Sequence, residues 1–90
     1  MKYQLARANS FKRSFKKIKL TDTEETNYIE VVYNLLNGEP LEDKYKDHQL
    51  KGNMRDFREC HIKPDLLLIY RIENDALELV DIGSHSELFE

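Results

Sequence analysis

Residues 66–72, Leu-Leu-Leu-Ile-Tyr-Arg-Ile, constrain the fold more than any other stretch of this chain. The run is apolar on both of its alternating sides. A strand with one wet face alternates, so a short run apolar on both faces belongs in the middle of a sheet. Its flanks are turn signals. Lys63-Pro64-Asp65 precedes it and Asn74-Asp75 follows it, and these residue types preset or tolerate the dihedrals of tight turns. Residues 56–62 alternate, with Cys60 and Ile62 to one side and Glu59 and His61 to the other. Residues 76–82, Ala-Leu-Glu-Leu-Val-Asp-Ile, form a further strand that Gly83 ends. Three strands joined by tight turns make an antiparallel meander.

The first half supplies what covers that sheet. Tyr3 and Leu5 share one face of a short N-terminal strand. Asn9 or Ser10 is placed to cap a helix whose apolar stripe is Phe11, Phe15 and Ile18. A second helix starts near Thr21–Thr23, where Thr21 and Glu24 have capping-box spacing. Ile29, Val32 and Leu36 are expected as its buried stripe, with Tyr28 and Leu35 beside it. Asn37-Gly38 suits a C-cap, and Pro40 prevents continuation. A polar connection over 39–47 leads to a short strand or turn at 48–52. The expected fold class is α+β: an N-terminal strand, a helical hairpin, then a mostly antiparallel sheet with the helices packed on one face. Ninety residues give one domain, 1–90.

Charge is segregated along the chain. Residues 1–20 hold seven bases and no acid, and residues 21–43 hold seven acids and no base. Residues 44–72 are net basic, residues 73–90 carry six acids and no base, and the net charge is −3. A basic face for a polyanion can survive on such a protein. Two solvated helices of opposite sign that attract each other would give the same pattern. The longest apolar run, Leu66 to Tyr70, is far short of the ~20 residues that span a bilayer. The N-terminus shows no apolar signal-peptide core, and a single cysteine permits no intrachain disulfide. These features point to a cytoplasmic protein without a membrane partner.

All three histidines lie in polar, turn-like or strand-end settings: His48, His61 and His85. Strand parity puts Glu59 and His61 on a sheet face expected to be uncovered. Asp65 sits just past the turn near His61, His85 follows the neighbouring strand, and Arg58 is near the edge. This is a plausible acid–base site, because imidazole exchanges protons near neutral pH. RNA strand cleavage needs a base for the 2′-OH, an acid for the departing 5′-oxygen and a cation for the phosphorane. Phe89 or Tyr45 is an aromatic that can stack on a splayed base. Plainer readings stand beside these. The three histidines can simply be surface residues, Asp65 a turn residue and Phe89 a pin for the tail. Arg58 can pair with Glu59 or Asp56, and Cys60 reads as a small buried apolar side chain. His48, His61, His85 and Asp65 lack short ligand spacing, so no metal site is expected.

At these residues the sequence resembles the YafQ branch of the RelE/ParE superfamily of toxins. The resemblance runs nearly the whole chain and is most specific in Tyr45–Gly52 (YKDHQLKG), Phe57–Tyr70 (FRECHIKPDLLLIY) and Gly83–Phe89 (GSHSELF). It implies a small sheet carrying a helical hairpin. It also implies an endoribonuclease that cuts mRNA in the ribosomal A site without a cofactor and is neutralised by a cognate antitoxin. Operator DNA would be met only through the antitoxin complex.

Position by position, the resemblance makes His48, His61, Asp65 and His85 the catalytic set, with His85 as proton donor. Phe89 matches the substrate-contacting aromatic. Glu59 stands where some relatives have Asp, and Arg58 is a candidate phosphate contact. One departure is charge: ribosome-dependent relatives are commonly basic, and this chain is acidic. Phosphate contacts supply most nonspecific affinity for nucleic acid. Binding is therefore expected to rely on the basic residues within 2–19 and on Lys44, Lys46, Lys51 and Arg55. Two rival readings are a non-enzymatic inhibitory toxin, as gyrase-directed ParE members are, and an inactive antitoxin-binding or regulatory module.

Overall fold

A computed structural model of the chain describes residues 1–89. The elements run β1 (Gln4–Arg7), α1 (Asn9–Lys17), α2 (Asp22–Leu36), β2 (His48–Gln49), β3 (Arg58–Lys63), β4 (Leu66–Glu73), β5 (Ala76–Gly83) and α3 (His85–Phe89). Short 3₁₀ turns occupy Asp43–Tyr45 and Gly52–Met54. The five strands form one sheet in the order β1-β5-β4-β3-β2. The run that is apolar on both faces is therefore the central strand, β4. Its neighbours pair with it antiparallel, as the turn signals require, while β1 returns to β5 in parallel. The α+β architecture is the expected one.

Local chemistry explains the element ends. Asn74 and Asp75 both adopt positive φ, which makes the two-residue β4–β5 turn of the type whose twist suits a hairpin. Thr21 and Glu24 form a complete capping box at the start of α2. At its end Gly38 takes φ +71°, and its N–H and that of Glu39 bond back to the Leu35 and Asn34 carbonyls. That pattern is a Schellman cap, which glycine forms without a Cβ penalty. The first helix is capped differently from the expectation. Ala8 is the N-cap, and the Ser10 hydroxyl instead donates to the Val80 carbonyl on β5.

α1 packs on β5 and α2 on β3, enclosing the main core between the hairpin and one sheet face. In α2 the buried stripe is Val31, Leu35 and Leu36 with Tyr28 and Val32 beside it, and Ile29 is 59% exposed. The expected stripe was thus turned by about one residue, roughly 100° around a helix. On the sheet, Leu77, Leu79 and Ile82 all reach the core although their spacing is uneven. A register shift opposite Ile69 and Tyr70 absorbs the extra residue. The second sheet face is not open as expected. Leu67 and Ile69 on it are buried, yet stand outside the main core cluster. Among the described residues no ion pair joins α1 to α2.

Candidate active site

The second sheet face carries the imidazoles. His48 on β2 is the cross-strand partner of Glu59 on β3, so the two side chains share a face. His61 lies two residues along the same strand and shares it too. The result is one carboxylate oxygen between two rings. Glu59 Oε1 is 3.4 Å from His48 Nε2 and 3.3 Å from His61 Nε2. Glu59 is 6% exposed, so it is the hub of the cluster and not a surface contact for substrate. A buried carboxylate needs partners, and these two rings are the basic groups within 4 Å of it among the described residues.

His48 is held from behind as well. Lys46 has φ 49°, a left-handed conformation that non-glycine residues rarely adopt. Its carbonyl lies 2.7 Å from His48 Nδ1. A carbonyl only accepts, so Nδ1 carries the proton and Nε2 is the nitrogen turned to Glu59.

A second group forms at the same end of the sheet. His61, Leu67 and Gly83 are register partners across β3, β4 and β5. Two strand spacings separate the outer pair, about 10 Å. Just beyond that row, Asp65 Oδ1 accepts the backbone N–H of His85 at 3.2 Å and caps α3. Ser84 and Glu87 complete a capping box: Ser84 N donates to Glu87 Oε1 and Glu87 N to Ser84 Oγ. The bond from the Ser84 N–H holds the Glu87 carboxyl below its ordinary range. Gly83 lets α3 lie close, since a Cβ there would meet Glu87 Oε1 at 3.0 Å and Leu88 Cδ2 at 3.6 Å. His85 and Phe89, one helical turn apart, have ring centroids 5.1 Å apart, and Phe89 is partly exposed.

Not every expected residue joins the site. Arg58 has the parity of Cys60 and Ile62, not of Glu59. Its guanidinium bonds both Asp47 carboxylate oxygens and approaches the Tyr70 hydroxyl, which itself donates to Asp47 at 2.6 Å. Burial lowers its affinity for a proton, but these hydrogen bonds outweigh that and hold it above its ordinary range. Arg58 thus clamps Asp47 and Tyr70 on the helix-facing side of β3, away from the imidazoles. Tyr45 is 1% exposed and donates to Glu30 Oε2, so it cannot stack on a base. Cys60 is in the core, where burial pushes its thiol well up. Lys46 and Lys51 are exposed on either side of β2. Among the described residues no group of three or more His, Cys, Asp or Glu side chains is arranged to hold a metal ion. Sequence reasoning missed α3 and the Asp47–Arg58–Tyr70 network. The Ser84-x-x-Glu87 spacing was the available signal for the helix.

A small mixed sheet with a helical hairpin on one face is the RelE-like architecture, shared with the solved YafQ toxin structures. The chain belongs to the family described as bacterial toxin of type II toxin–antitoxin system, YafQ, whose model matches residues 3–90. The mRNA interferase toxin YafQ of Escherichia coli K12 is 36% identical over 67 residues, covering 72% of this chain and 73% of that one. A YafQ homologue of Haemophilus influenzae is 39% identical over 66 residues, covering 69% of this chain and 65% of that one. The match thus spans just under two thirds of the Haemophilus protein. Among solved structures, a copper-bound mutant toxin from Helicobacter pylori is 44% identical with a TM-score of 0.90, covering 97% of this chain and 99% of that one. The E. coli DinJ–YafQ complex is 26% identical with a TM-score of 0.84, covering 98% and 99%.

Proposed function

We propose that this chain is an endoribonuclease toxin that cleaves mRNA in the ribosomal A site by histidine acid–base chemistry, with no metal required. The observation that carries the reading is the pair of imidazoles on one buried Glu59 oxygen, with a third imidazole on a helix capped by Asp65 at the same end of the sheet. In the reaction a base takes the 2′-OH proton, and the 2′-oxygen bonds to the adjacent phosphorus. The bond from phosphorus to the 5′-oxygen breaks, and an acid gives that oxygen a proton. The products are a 2′,3′-cyclic phosphate and a 5′-hydroxyl, and the protons balance. His85 is the proton donor. His48 and His61 supply the base and the positive charge that the phosphorane needs. Asp65 positions His85, Phe89 stacks on a base, and Lys46 and Lys51 meet phosphates.

The cognate antitoxin is the partner that silences the activity, a reading supported by the relative solved in complex with DinJ. Operator DNA is reached only through that complex. No helix of the described residues is long and apolar enough to cross a membrane, and the ribosomal substrate places the activity in the cytoplasm.

Primer extension on mRNA in a cell-free translation system tests the proposal. Discrete breaks are expected with ribosomes and not without them, leaving a 2′,3′-cyclic phosphate and a 5′-hydroxyl at each cut. His85→Ala should abolish the breaks and growth arrest while leaving the circular dichroism spectrum intact. Intact message with the wild-type protein, or fragments that begin with a 5′-phosphate, would overturn it.

A further inference from the structure

A concavity of about 430 Å³ lies beside His61, and the mechanism above assigns it no ligand. Its walls are Asn27 from α2, Lys44 and Lys46 around the 3₁₀ turn, and His61, Lys63 and Pro64 at the end of β3. Ile62 sits in its floor, where the β3–β4 ladder shifts register between His61 and Lys63. Most of the lining surface is apolar, and no carboxylate lines it. Asn27 Nδ2 donates to the Ile62 carbonyl at 3.0 Å, which fixes the amide and leaves its Oδ1 as an acceptor. Among the described residues Lys46 and Lys63 form no ion pair, and Lys44 makes one exposed contact with Glu42 at 3.6 Å.

An apolar floor with one fixed amide and a rim of three ammonium groups matches a flat heteroaromatic base joined to a phosphate. The volume falls within the ~300–1,000 Å³ range of ligand sites. His61 ties the cleft to the chemistry, because the residue lines the cleft while its Nε2 faces Glu59. Whatever sits there is next to the reacting phosphate.

We infer that this cleft is a nucleotide subsite: it holds the base of an RNA nucleotide next to the scissile bond, with Lys44, Lys46 and Lys63 on that nucleotide's phosphate. The inference deepens the endoribonuclease reading and rests on it for its role in cleavage. Phe89 stacks a base at the opposite end of the row, so the substrate is gripped on both sides of the bond that breaks. Sealed Tyr45 backs this cleft from below and offers no stacking face.

Amide and side-chain NMR of the wild-type protein titrated with AMP tests the subsite, with ribose 5-phosphate as the probe lacking a base. AMP should shift the Asn27 side-chain amide and the Lys46, Ile62 and Lys63 signals saturably, and ribose 5-phosphate should bind at least tenfold more weakly. The doubly substituted Lys44→Ala/Lys63→Ala protein, both positions being exposed, should keep the wild-type amide spectrum and bind AMP at least tenfold more weakly. In the translation assay it should raise the mRNA concentration for half-maximal cleavage with little change in maximal rate. Equal binding of the two probes, shifts confined to other residues, or no shifts would overturn the subsite, as would signals that respond only to the antitoxin. Cleavage by the wild type with no AMP response in the cleft refutes the subsite alone. AMP bound in the cleft of a protein that cuts no message refutes the nuclease reading alone.

Discussion

Glu59 offers the most direct test of how the site is held together. Its side chain is only 8% exposed, and two imidazoles at 3.4 and 3.3 Å are its basic neighbours. Removing one partner of a buried ion pair costs about 3–5 kcal/mol when nothing replaces it. Here two partners share one oxygen and are not equal, since the His48 side chain is 50% exposed and that of His61 24%. Solvent screens the His48 contact, so His48→Ala should cost about 1 kcal/mol. His61→Ala removes the drier contact and some packing, about 2 kcal/mol. The double variant strands the carboxylate, so its cost should exceed the sum, reaching about 4 kcal/mol. Adding Glu59→Gln removes the stranded charge and should return about 2 kcal/mol. Urea unfolding at one fixed pH compares the four variants with the wild type. Thermal melts give a second reading, since 1 kcal/mol moves Tm by about 4–8 °C in a domain of this size. Additive single costs, or a triple variant no more stable than the double, would show that the imidazoles do not hold Glu59.

Three further predictions concern the supports of the site. Asp65→Asn keeps an acceptor for the His85 N–H and should retain most cleavage, whereas Asp65→Ala loses a cap worth about 1 kcal/mol and should cut the rate about fivefold. Equal loss in both variants by primer extension would mean that the Asp65 charge itself acts on substrate. The Glu87 carboxyl is held low by the Ser84 N–H, so its contribution is present above the ordinary carboxylate range and is lost as pH falls through the lowered value. Amide exchange in α3 should therefore accelerate in acid before the β4 and β5 amides respond, and α3 and the sheet losing protection together would refute this. Tyr70→Phe removes a 2.6 Å bond to Asp47 and should cost about 1.5–2 kcal/mol in urea unfolding while leaving cleavage unchanged. A catalytic defect without a stability change would put Arg58 back among the substrate contacts.

What could be read from the sequence was what local chemistry decides. The β4 run apolar on both faces, the Asn74-Asp75 turn and the Thr21 capping box are each specified within a few residues, and all three appear in the fold. The burial of α2 was misread because two stripes, 29-32-36 and 28-31-35, are both apolar, and only the docking angle chooses between them. α3 is too short for a periodic signal, although its Ser84 and Glu87 cap was in view. Arg58 shared its parity with Cys60 from the start, so its place away from the imidazoles was legible and was overlooked. The burial of Glu59 was not legible. It depends on a two-residue strand, β2, pairing in one register, which sets His48 opposite Glu59.

The net charge of −3 argued against an RNA partner, and the geometry shows why that argument is weak. Around the site the carboxylates are engaged internally: Glu59 by two imidazoles, Asp65 by the His85 N–H, Asp47 by Arg58 and Tyr70, and Glu87 by the Ser84 N–H. Glu59 and Asp47 face basic side chains, whereas Asp65 and Glu87 meet only neutral N–H groups and keep their charge. Lys46, Lys51 and Lys63 have no ion-pair partner among the described residues, so their charge is available to a ligand. A polyanion responds to the field where it docks rather than to the total. Phosphate affinity at the site thus rests on these lysines and not on the sum over the chain.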